Sequence, residues 1–280
     1  MFAFKSPCAV GWNPGSNITV ESVKRIFDEC KEKQVLKINL KYSPGLFRND
    51  RIYTLFDEVQ KAGVGIESNF KASEITEDEM DKIDRISDFV NIIIDSGDDA
   101  DRINGFVSRF THSKKRIRVS VDKKNVSELE NIIEKYESVS EYISAIFCNP
   151  KYLCEDISDM LLQDETDDLS VDLIDLAERF ENSFPVCYED GSDEIRCLLS
   201  DKTVTSSIFI DSDGAAYINE WFRVCFGNVY TEGLDKIWDK SKTFWFLDNV
   251  KMYFSNFTSL FQEERLECSY KTVNIGELIG

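Results

Sequence analysis

The runs VLKINL from Val35, FVNIIID from Phe89 and IRVSV from Ile117 decide the fold class of this chain. Each run is short, apolar and rich in β-branched residues, which predicts a β-strand. Two further runs of the same kind are VGIES from Val64 and ISAIF from Ile143. Successive runs begin roughly 25 to 29 residues apart, the length of one βα unit. We interpret all five as parallel strands that are apolar on both faces because helices cover them.

Amphipathic stretches lie between these runs and predict helices. They cover residues 20–31, 50–61, 77–86, 101–110 and 126–136. Residues 2–4 would add a first strand and residues 184–188 a last one, so we expect a partial (β/α)6 TIM-like barrel of the α/β class. Ligand sites in such folds lie at the carboxyl ends of the strands. Here those ends are Lys41 with Tyr42, Ser68 with Asn69, Asp95 with Ser96, Asp122, and Asn149.

The sequence pattern changes after about residue 150. The acidic residues 161–170 predict an exposed loop, and residues 171–181 predict one more helix. Residues 206–210 and 215–218 flank the turn DSDG, which predicts a β-hairpin. Residues 234–240 predict a short helix, and the aromatic-rich residues 244–261 predict another. We therefore expect a barrel domain over residues 1–195 and a smaller domain over residues 196–280.

The composition excludes two classes of partner. The formal net charge is −19, which disfavours binding to nucleic acid or to an anionic membrane surface and is compatible with a basic peptide or protein.

The chain does not open on an apolar signal region, and no apolar run approaches the ~20 residues of a membrane helix. We expect a cytoplasmic protein whose 8 cysteines are reduced thiols, many of them buried. The single histidine, His112, is expected to be a surface or structural residue.

Three segments of the predicted barrel resemble the first half of a radical SAM barrel. They are residues 18–24 (ITVESVK), 37–50 (KINLKYSPGLFRND) and 62–70 (AGVGIESNF). In that family one strand ends in a Gly-Gly-Glu-Pro motif and the next ends in Thr-Asn-Gly. The resemblance extends from residue 17 to about residue 150 and implies the barrel architecture.

The last third of the chain is similar to the SPASM or twitch extension of radical SAM proteins. Residues 208–217 (IFIDSDGAAY) match its hairpin with an Asp-Gly turn. Residues 226–239 (FGNVYTEGLDKIWD) match its Gly-Asn-Val segment and the short helix that ends in Ile-Trp. The resemblance implies a degenerate SPASM-like appendage made of a β-hairpin and a helix.

The positions at which the chain departs from the family pattern decide the functional expectation. The family holds its cluster with Cys-x3-Cys-x2-Cys, because three thiolates bind three irons and leave the fourth iron for SAM. Here Cys8 is followed at those spacings by Trp12 and Gly15. The SAM-binding positions are also altered, to Tyr42, Ser43, Pro44, Gly45, Ser68 and Asn69. The cysteines of the last third, Cys197, Cys225 and Cys268, are too few for the auxiliary clusters of the SPASM family.

The resemblance implies a catalytically inactive, cofactor-free and metal-free radical SAM-like protein. It would act as a partner or scaffold for an active radical SAM maturase, for the ribosomally made precursor peptide of that maturase, or for both. Aromatic side chains are enriched in protein interfaces, so the candidates for partner binding are aromatic. They are Trp221, Phe222, Trp238, Trp245 and Phe246.

Two alternatives stay open on the sequence alone. One is an enzyme that uses the barrel mouth for chemistry without a cluster, with Lys41, Tyr42, Asp95 and Asp122 as candidates near the predicted strand ends. The other is a stand-alone binder of a small molecule. Paired carboxylates in a cavity would favour the enzyme, and an exposed aromatic patch would favour the partner role.

Overall fold

The structure, a computed structural model, describes residues 5–94, 100–151, 157–189, 206–218, 220, 224–244, 247–248 and 273–274. It divides into two compact units. The first unit is Met1–Glu67 with Ser192–Gly280, and the second unit is Ser68–Gly191. The first unit resumes near the predicted boundary at residue 196, but it also contains the amino-terminal strands that the sequence analysis assigned to the barrel domain.

The strands are β1 Ala9–Trp12, β2 Lys37–Lys41, β3 Gly65–Lys71, β4 Phe89–Ile94, β5 Lys114–Val121, β6 Ile143–Pro150, β7 Val186–Tyr188, β8 Ser207–Ile210, β9 Ala215–Tyr217, β10 Val224–Asn228 and β11 Val273–Asn274. The α-helices are α1 Val20–Glu32, α2 Asp50–Lys61, α3 Glu77–Ile86, α4 Ala100–Arg109, α5 Leu129–Glu134, α6 Gln163–Arg179, α7 Val229–Glu232 and α8 Leu234–Phe244. Short 3-10 turns cover Leu46–Arg48, Ala72–Glu74, Val126–Glu128, Glu137–Tyr142 and Ile157–Asp159.

The sheet of the first unit is built around β1. β2 and β8 pair in parallel with β1 on its two sides, so that Ala9 lies opposite both Lys37 and Ser207. β8 and β9 form the predicted antiparallel hairpin, and β10 continues it antiparallel to β9. The hairpin prediction is confirmed, and the tertiary structure adds that its first strand extends the parallel sheet.

Helices α1 and α2 cover one face of β1 with an aromatic core. α1 begins after Thr19, whose side chain accepts a hydrogen bond from the Ser22 main-chain N–H at 3.1 Å. The Trp12 ring lies 5.6 Å from Phe27 of α1 and 6.0 Å from Phe56 of α2, and all three side chains are almost fully buried. These contacts fix the carboxyl end of β1 beneath the two helices.

The second unit is a parallel sheet of β4, β5, β6 and β7, joined by the end of β3. Its described strands have β7 at one edge, so the sheet of this unit does not close on itself. On one face the apolar side chains of each strand are buried, as Val90, Ile117 and Ile146 are. The α/β fold class with a parallel sheet is therefore confirmed, while the described strands form no closed barrel within either unit.

One prediction on local structure needs correction. Residues 161–170 do not form a loop, because α6 begins at Gln163 and runs through them. The acidic composition concealed a helical spacing: Thr166, Leu169 and Leu173 are buried on one side of α6, and the Glu165 side chain accepts a hydrogen bond from the Leu162 N–H at 2.6 Å. The first described strand is β1, whereas the strand predicted at residues 2–4 lies outside the described residues.

A second correction concerns the faces of the strands. We predicted strands that are apolar on both faces, but β5 alternates between buried apolar and half-exposed basic side chains. Ile117 and Val119 are buried, whereas Arg116 and Arg118 lie on the opposite face. Within the described parts of the chain, no helix is long and apolar enough to span a bilayer.

Candidate functional site

The carboxyl ends of β1 and β2 lie in the first unit, where Asn13 links three segments. Its main-chain N–H donates to the Ile210 carbonyl at 2.9 Å, and its side-chain amide donates to Asp211 Oδ1 at 3.0 Å. The Ser43 hydroxyl donates to Asn13 Oδ1 at 3.4 Å. One asparagine thus connects the segment after β1 to the segment after β2 and to the hairpin turn.

The chain that leaves β1 packs directly against the hairpin. Gly15 has a φ of 66°, and a Cβ at this position would lie 3.0 Å from the Ser212 Cβ. Glycine is required here both by the left-handed backbone and by the close approach. Trp12, three residues earlier, points instead into the aromatic core. Trp12 and Gly15, which stand where the family pattern has its second and third cysteines, therefore have packing roles.

Two buried polar atoms meet behind this segment. The Trp12 indole N–H lies next to the Tyr230 hydroxyl, although neither atom makes a hydrogen bond of ordinary geometry. Burial raises the pKa of the Tyr230 phenol, and the Trp12 N–H offsets part of that rise. The Tyr230 ring itself lies against Gly214, where an added Cβ would be 2.3 Å from it. The hairpin turn, α7 and β1 are therefore tightly packed in this unit.

Cys8 lies at the other end of β1. It precedes β1 directly and so stands before the first strand that the structure describes. Its main-chain N–H donates to the Ser206 carbonyl at 2.7 Å at the start of the sheet. The segment that does follow β1, residues 13–19, contains no cysteine. Within the described ranges, no group of three or more His, Cys, Asp or Glu side chains is placed to hold a metal ion.

The altered SAM-binding positions fall in different environments. Tyr42 is 3% exposed and its ring lies 5.3 Å from that of Phe47. Gly45 has a φ of 85°, and the Arg48 side chain lies across it, 3.2 Å from the position of an added Cβ. Residues 42–45 supply no carboxylate. The segment after β2 is therefore a packed turn on an aromatic base.

Ser68 and Asn69 belong to the second unit, where they point to opposite faces of β3. Ser68 is fully buried, and its hydroxyl lies 2.7 Å from that of Ser87. The Asn69 side-chain carbonyl accepts a hydrogen bond from Asn91 Nδ2 at 2.9 Å on the half-exposed face. Only Asn69 of this pair is on the face that could meet a ligand.

The candidates for the cluster-free enzyme are held by local contacts. Asp122 is 6% exposed, and its Oδ1 accepts a hydrogen bond from the Lys124 main-chain N–H at 2.9 Å, as a turn-forming aspartate does. Its Oδ2 lies 3.5 Å from Lys151 Nζ. Lys41 lies 3.5 Å from Glu220 at the surface, and Asp95 lies outside the described residues.

One of the candidates for partner binding is a core residue. Trp238 is 1% exposed, so the structure contradicts its prediction as a surface anchor. The apolar side of α8 buries it together with Leu234 and Ile237. Trp221, Phe222, Trp245 and Phe246 lie outside the described residues.

A cation–aromatic ladder, made of Phe89, Arg116, Phe147 and Arg118, crosses the half-exposed face of the second unit. The Arg116 guanidinium lies 3.8 Å from the centre of the Phe89 ring and 5.5 Å from that of Phe147. The Arg118 guanidinium lies 5.3 Å from the centre of the Phe147 ring. Each such contact stabilises by roughly 0.5–1 kcal/mol at an exposed site and by about 2 kcal/mol when desolvated.

The ladder ends at a carboxylate. Glu189 forms an ion pair with Arg118 and accepts a hydrogen bond from Asn149 Nδ2 at 2.9 Å. Burial raises the pKa of the neighbouring Cys187 thiol, the Glu189 carboxylate raises it further, and Arg116 partly offsets both. The sequence analysis missed this group, although the alternation of Lys114, Arg116 and Arg118 with apolar residues was visible in the sequence.

Comparisons with solved structures place this geometry in a known fold. The structure of Streptococcus suis SuiB bound to its precursor peptide SuiA matches with a TM-score of 0.65 and 13% identity, over 94% of this chain and 71% of SuiB. SuiB bound to S-adenosylmethionine matches with a TM-score of 0.64 and 14% identity, over 84% of this chain. In that match the chain spans 64% of the length of SuiB.

Native anSMEcpe with bound AdoMet matches with a TM-score of 0.59 and 10% identity, over 97% of this chain and 94% of anSMEcpe. These structural neighbours are radical SAM enzymes. This chain shares their α/β fold. No protein-family model matches the chain, and none of the curated proteins does.

The residues of this chain do not fit the groups that the radical SAM fold holds in its enzymes. A cluster at the carboxyl end of β1 requires thiolates there, and the segment of residues 13–19 has none. The acceptor expected for a SAM ammonium group after β2 is a carboxylate, whereas here Tyr42 is packed into the core and Ser43 donates its hydroxyl to Asn13. Residues 13–19 and residues 42–45 therefore supply neither a thiolate nor a carboxylate.

Proposed function

We propose that this chain is a catalytically inactive radical SAM-like protein that binds a radical SAM peptide maturase, the precursor peptide of that maturase, or both. The observation that carries the proposal is the segment after β1. There Asn13 ties the strand end to Ser43 and Asp211, Gly15 packs on Ser212, and no thiolate is present. The segment therefore connects the end of β1 to the turn after β2 and to the hairpin turn.

The proposed partner rests on the structural neighbours. SuiB was solved bound to its precursor peptide SuiA, and anSMEcpe was solved with peptides. Since this chain shares their fold, the proposal is that it presents the surfaces that meet peptide and partner. We also propose that the hairpin, β10 and α8 form a SPASM-like appendage and that the chain has no enzymatic activity.

The first experiment tests cofactor binding. The protein is reconstituted anaerobically with iron and sulfide beside SuiB as a positive control, and calorimetry then measures SAM binding to each. We expect no stoichiometric iron and no SAM binding for this chain. A stoichiometric cluster, or SAM affinity comparable with that of SuiB, would contradict the proposal of inactivity.

The second experiment tests the partner. The chain is co-expressed with a radical SAM peptide maturase of the same organism, and with the precursor peptide of that maturase, and co-purification is measured. Trp245→Ala and Phe246→Ala are then compared with Trp238→Ala. We expect the first two variants to fold and to bind less, and Trp238→Ala to lose folding because its side chain is core. Failure of the wild type to co-purify with either molecule would refute the partner role and leave the stand-alone binder.

A further inference from the structure

Helix α6 of the second unit exposes two neighbouring apolar side chains. Val171 and Ile174 are each 60% exposed, and their spacing of three residues places them on one face of the helix. They are two of the five large apolar side chains that are exposed in the described part of the chain, and the only two of these that share a helix. Apolar residues scattered singly over a surface need no explanation, whereas two in contact on one helix face offer a contact surface to a partner.

A recess beside Ile174 deepens this apolar surface. Its volume is about 380 Å³, near the lower end of the roughly 300–1,000 Å³ that ligand clefts span. The residues of α6 that line it include Ser170, Leu173, Ile174 and Ala177. Because Leu173 is 3% exposed, the recess has an apolar floor. An apolar side chain of a partner can therefore insert beside Ile174.

Carboxylates stand on three sides of the apolar pair. Asp168 precedes Val171 by three residues and Asp175 follows it by four, so both are its neighbours on the helix surface. Glu178 follows Ile174 by four residues in the same way. These three carboxylates are exposed, and none of them forms an ion pair with another residue in the described ranges.

The basic residues nearby do not neutralise this face. α6 carries seven carboxylates and one arginine, a net charge of −6. That arginine, Arg179, forms ion pairs with Glu130 and Glu134 of α5. Lys123 forms an ion pair with Glu165, in the first turn of α6. A partner that covers the apolar pair therefore needs lysine or arginine around its own apolar residues.

The spacing of these groups fits a second α-helix. From Asp168 to Glu178 the axis of α6 rises by about 15 Å, at about 1.5 Å per residue. A helix packed along α6 repeats with the same rise, so its positions i, i+4, i+7 and i+11 share one face and extend over about 17 Å. Apolar residues at the two middle positions meet Val171 and Ile174, and basic residues at the two outer positions reach the carboxylates. All four side chains thus lie on the same face of the partner.

We propose that the exposed face of α6 binds an amphipathic helix of a partner protein, with lysine or arginine at both ends of the apolar face of that helix. The inference goes beyond the proposed function, because it holds whether or not the chain is an enzyme. Charge complementarity favours this partner over a second copy of the chain, since two copies of α6 would each bring a net charge of −6.

The test uses three fluorescein-labelled, alanine-rich peptides of about 18 residues, a length at which isolated helices form. The first peptide carries Leu at the two middle positions and Lys at the two outer positions of one face. The second has Ser in place of both Leu residues. The third keeps both Leu residues but has its Lys residues on the opposite face. Circular dichroism compares their helix content, and fluorescence anisotropy measures binding at about 0.15 M salt, where long-range attraction is screened beyond about 8 Å.

The protein variants separate the apolar from the charged contribution. Ile174→Ser removes half of the apolar pair, and its control is Leu36→Ser, at an apolar residue 68% exposed in the first unit. The second variant combines Asp168→Asn with Glu178→Gln. Its control combines Glu58→Gln with Asp81→Asn, which changes the net charge by the same amount at exposed positions of α2 and α3.

We expect the first peptide to bind best, and both α6 variants to weaken its binding about fivefold or more, the equivalent of roughly 1 kcal/mol. The two controls should leave its affinity unchanged. A dissociation constant above about 1 mM for the first peptide would overturn the proposal.

Two other outcomes would overturn it as well. Equal binding of the second or third peptide, or equal losses in the α6 variants and their controls, would reduce the effect to nonspecific attraction by an acidic protein. Self-association that Ile174→Ser abolishes, measured by light scattering, would identify a second copy as the occupant of this face.

Discussion

The carboxylate of Asp84 accepts hydrogen bonds from three successive residues before β5. Replacing it gives a quantitative test of what these bonds contribute to the stability of the second unit. Its two oxygens accept the main-chain N–H groups of Thr111 at 2.8 Å, His112 at 3.0 and 3.1 Å, and Ser113 at 2.8 Å. The Ser113 hydroxyl donates to it at 2.6 Å, and His112 Nδ1 lies 3.0 Å from it. His112 is thus a structural residue, as the sequence predicted.

The expected cost of Asp84→Asn follows from these contacts. The asparagine keeps one acceptor oxygen and turns an NH2 group toward main-chain N–H groups, which then lose their acceptor. A hydrogen bond to a charged group stabilises by about 1.5–3 kcal/mol, and a buried donor without an acceptor costs about 1–3 kcal/mol. We expect a loss of about 3 kcal/mol in the free energy of unfolding. The matched control is Asp81→Asn, an exposed position on the same helix.

The effect depends on pH with a definite sign. Burial raises the pKa of Asp84, but the hydrogen bonds from Ser113, His112 and Thr111 outweigh it and hold the pKa well below its usual range. Because the folded pKa is depressed, the stabilisation is fully present above the unfolded value of about 3.9 and is lost as pH falls below it toward the folded value. The difference between wild type and Asp84→Asn should therefore shrink below about pH 4.

Urea unfolding followed by far-ultraviolet circular dichroism measures this loss. All 4 tryptophans lie in the first unit, so tryptophan fluorescence reports that unit and dichroism is needed for the second. A loss below about 1 kcal/mol, or a loss that does not change between neutral and acid pH, would refute the assignment of the carboxylate as an ionised acceptor.

Two further predictions concern buried side chains. Phe56→Ala removes a fully buried ring that lies 4.7 Å from Phe27 and 6.0 Å from Trp12. We expect the free energy of unfolding to fall by about 3–5 kcal/mol, measured by tryptophan fluorescence during urea unfolding. Retention of wild-type stability would show that this core repacks. Burial raises the pKa of the Cys30 and Cys148 thiols to about 12. We therefore expect both thiols to resist alkylation by iodoacetamide at about pH 8 in the native protein. Alkylation of either residue before unfolding, detected by peptide mass spectrometry, would contradict their burial.

The periodic parts of the fold could be predicted from the sequence. Helices α2 and α3 have the predicted limits, because apolar residues at helical spacing and polar residues at the ends mark them locally. The hairpin of β8 and β9 was equally visible, since the DSDG turn is a local signal. α6 was missed in its first half because its acidic residues concealed the spacing of Thr166, Leu169 and Leu173.

The sequence by itself determined which residues are absent: residues 13–19 after β1 contain no cysteine, and residues 42–45 after β2 contain no acid. Only the tertiary structure decided what the replacements do. It turned Trp12 into the helix-covered core, joined Asn13 to Ser43 and Asp211, and aligned Arg116 and Phe147 from different strands into one ladder. The physical reason is that composition and periodicity act over a few neighbouring residues, whereas strand register and side-chain packing bring together residues that are far apart in the chain.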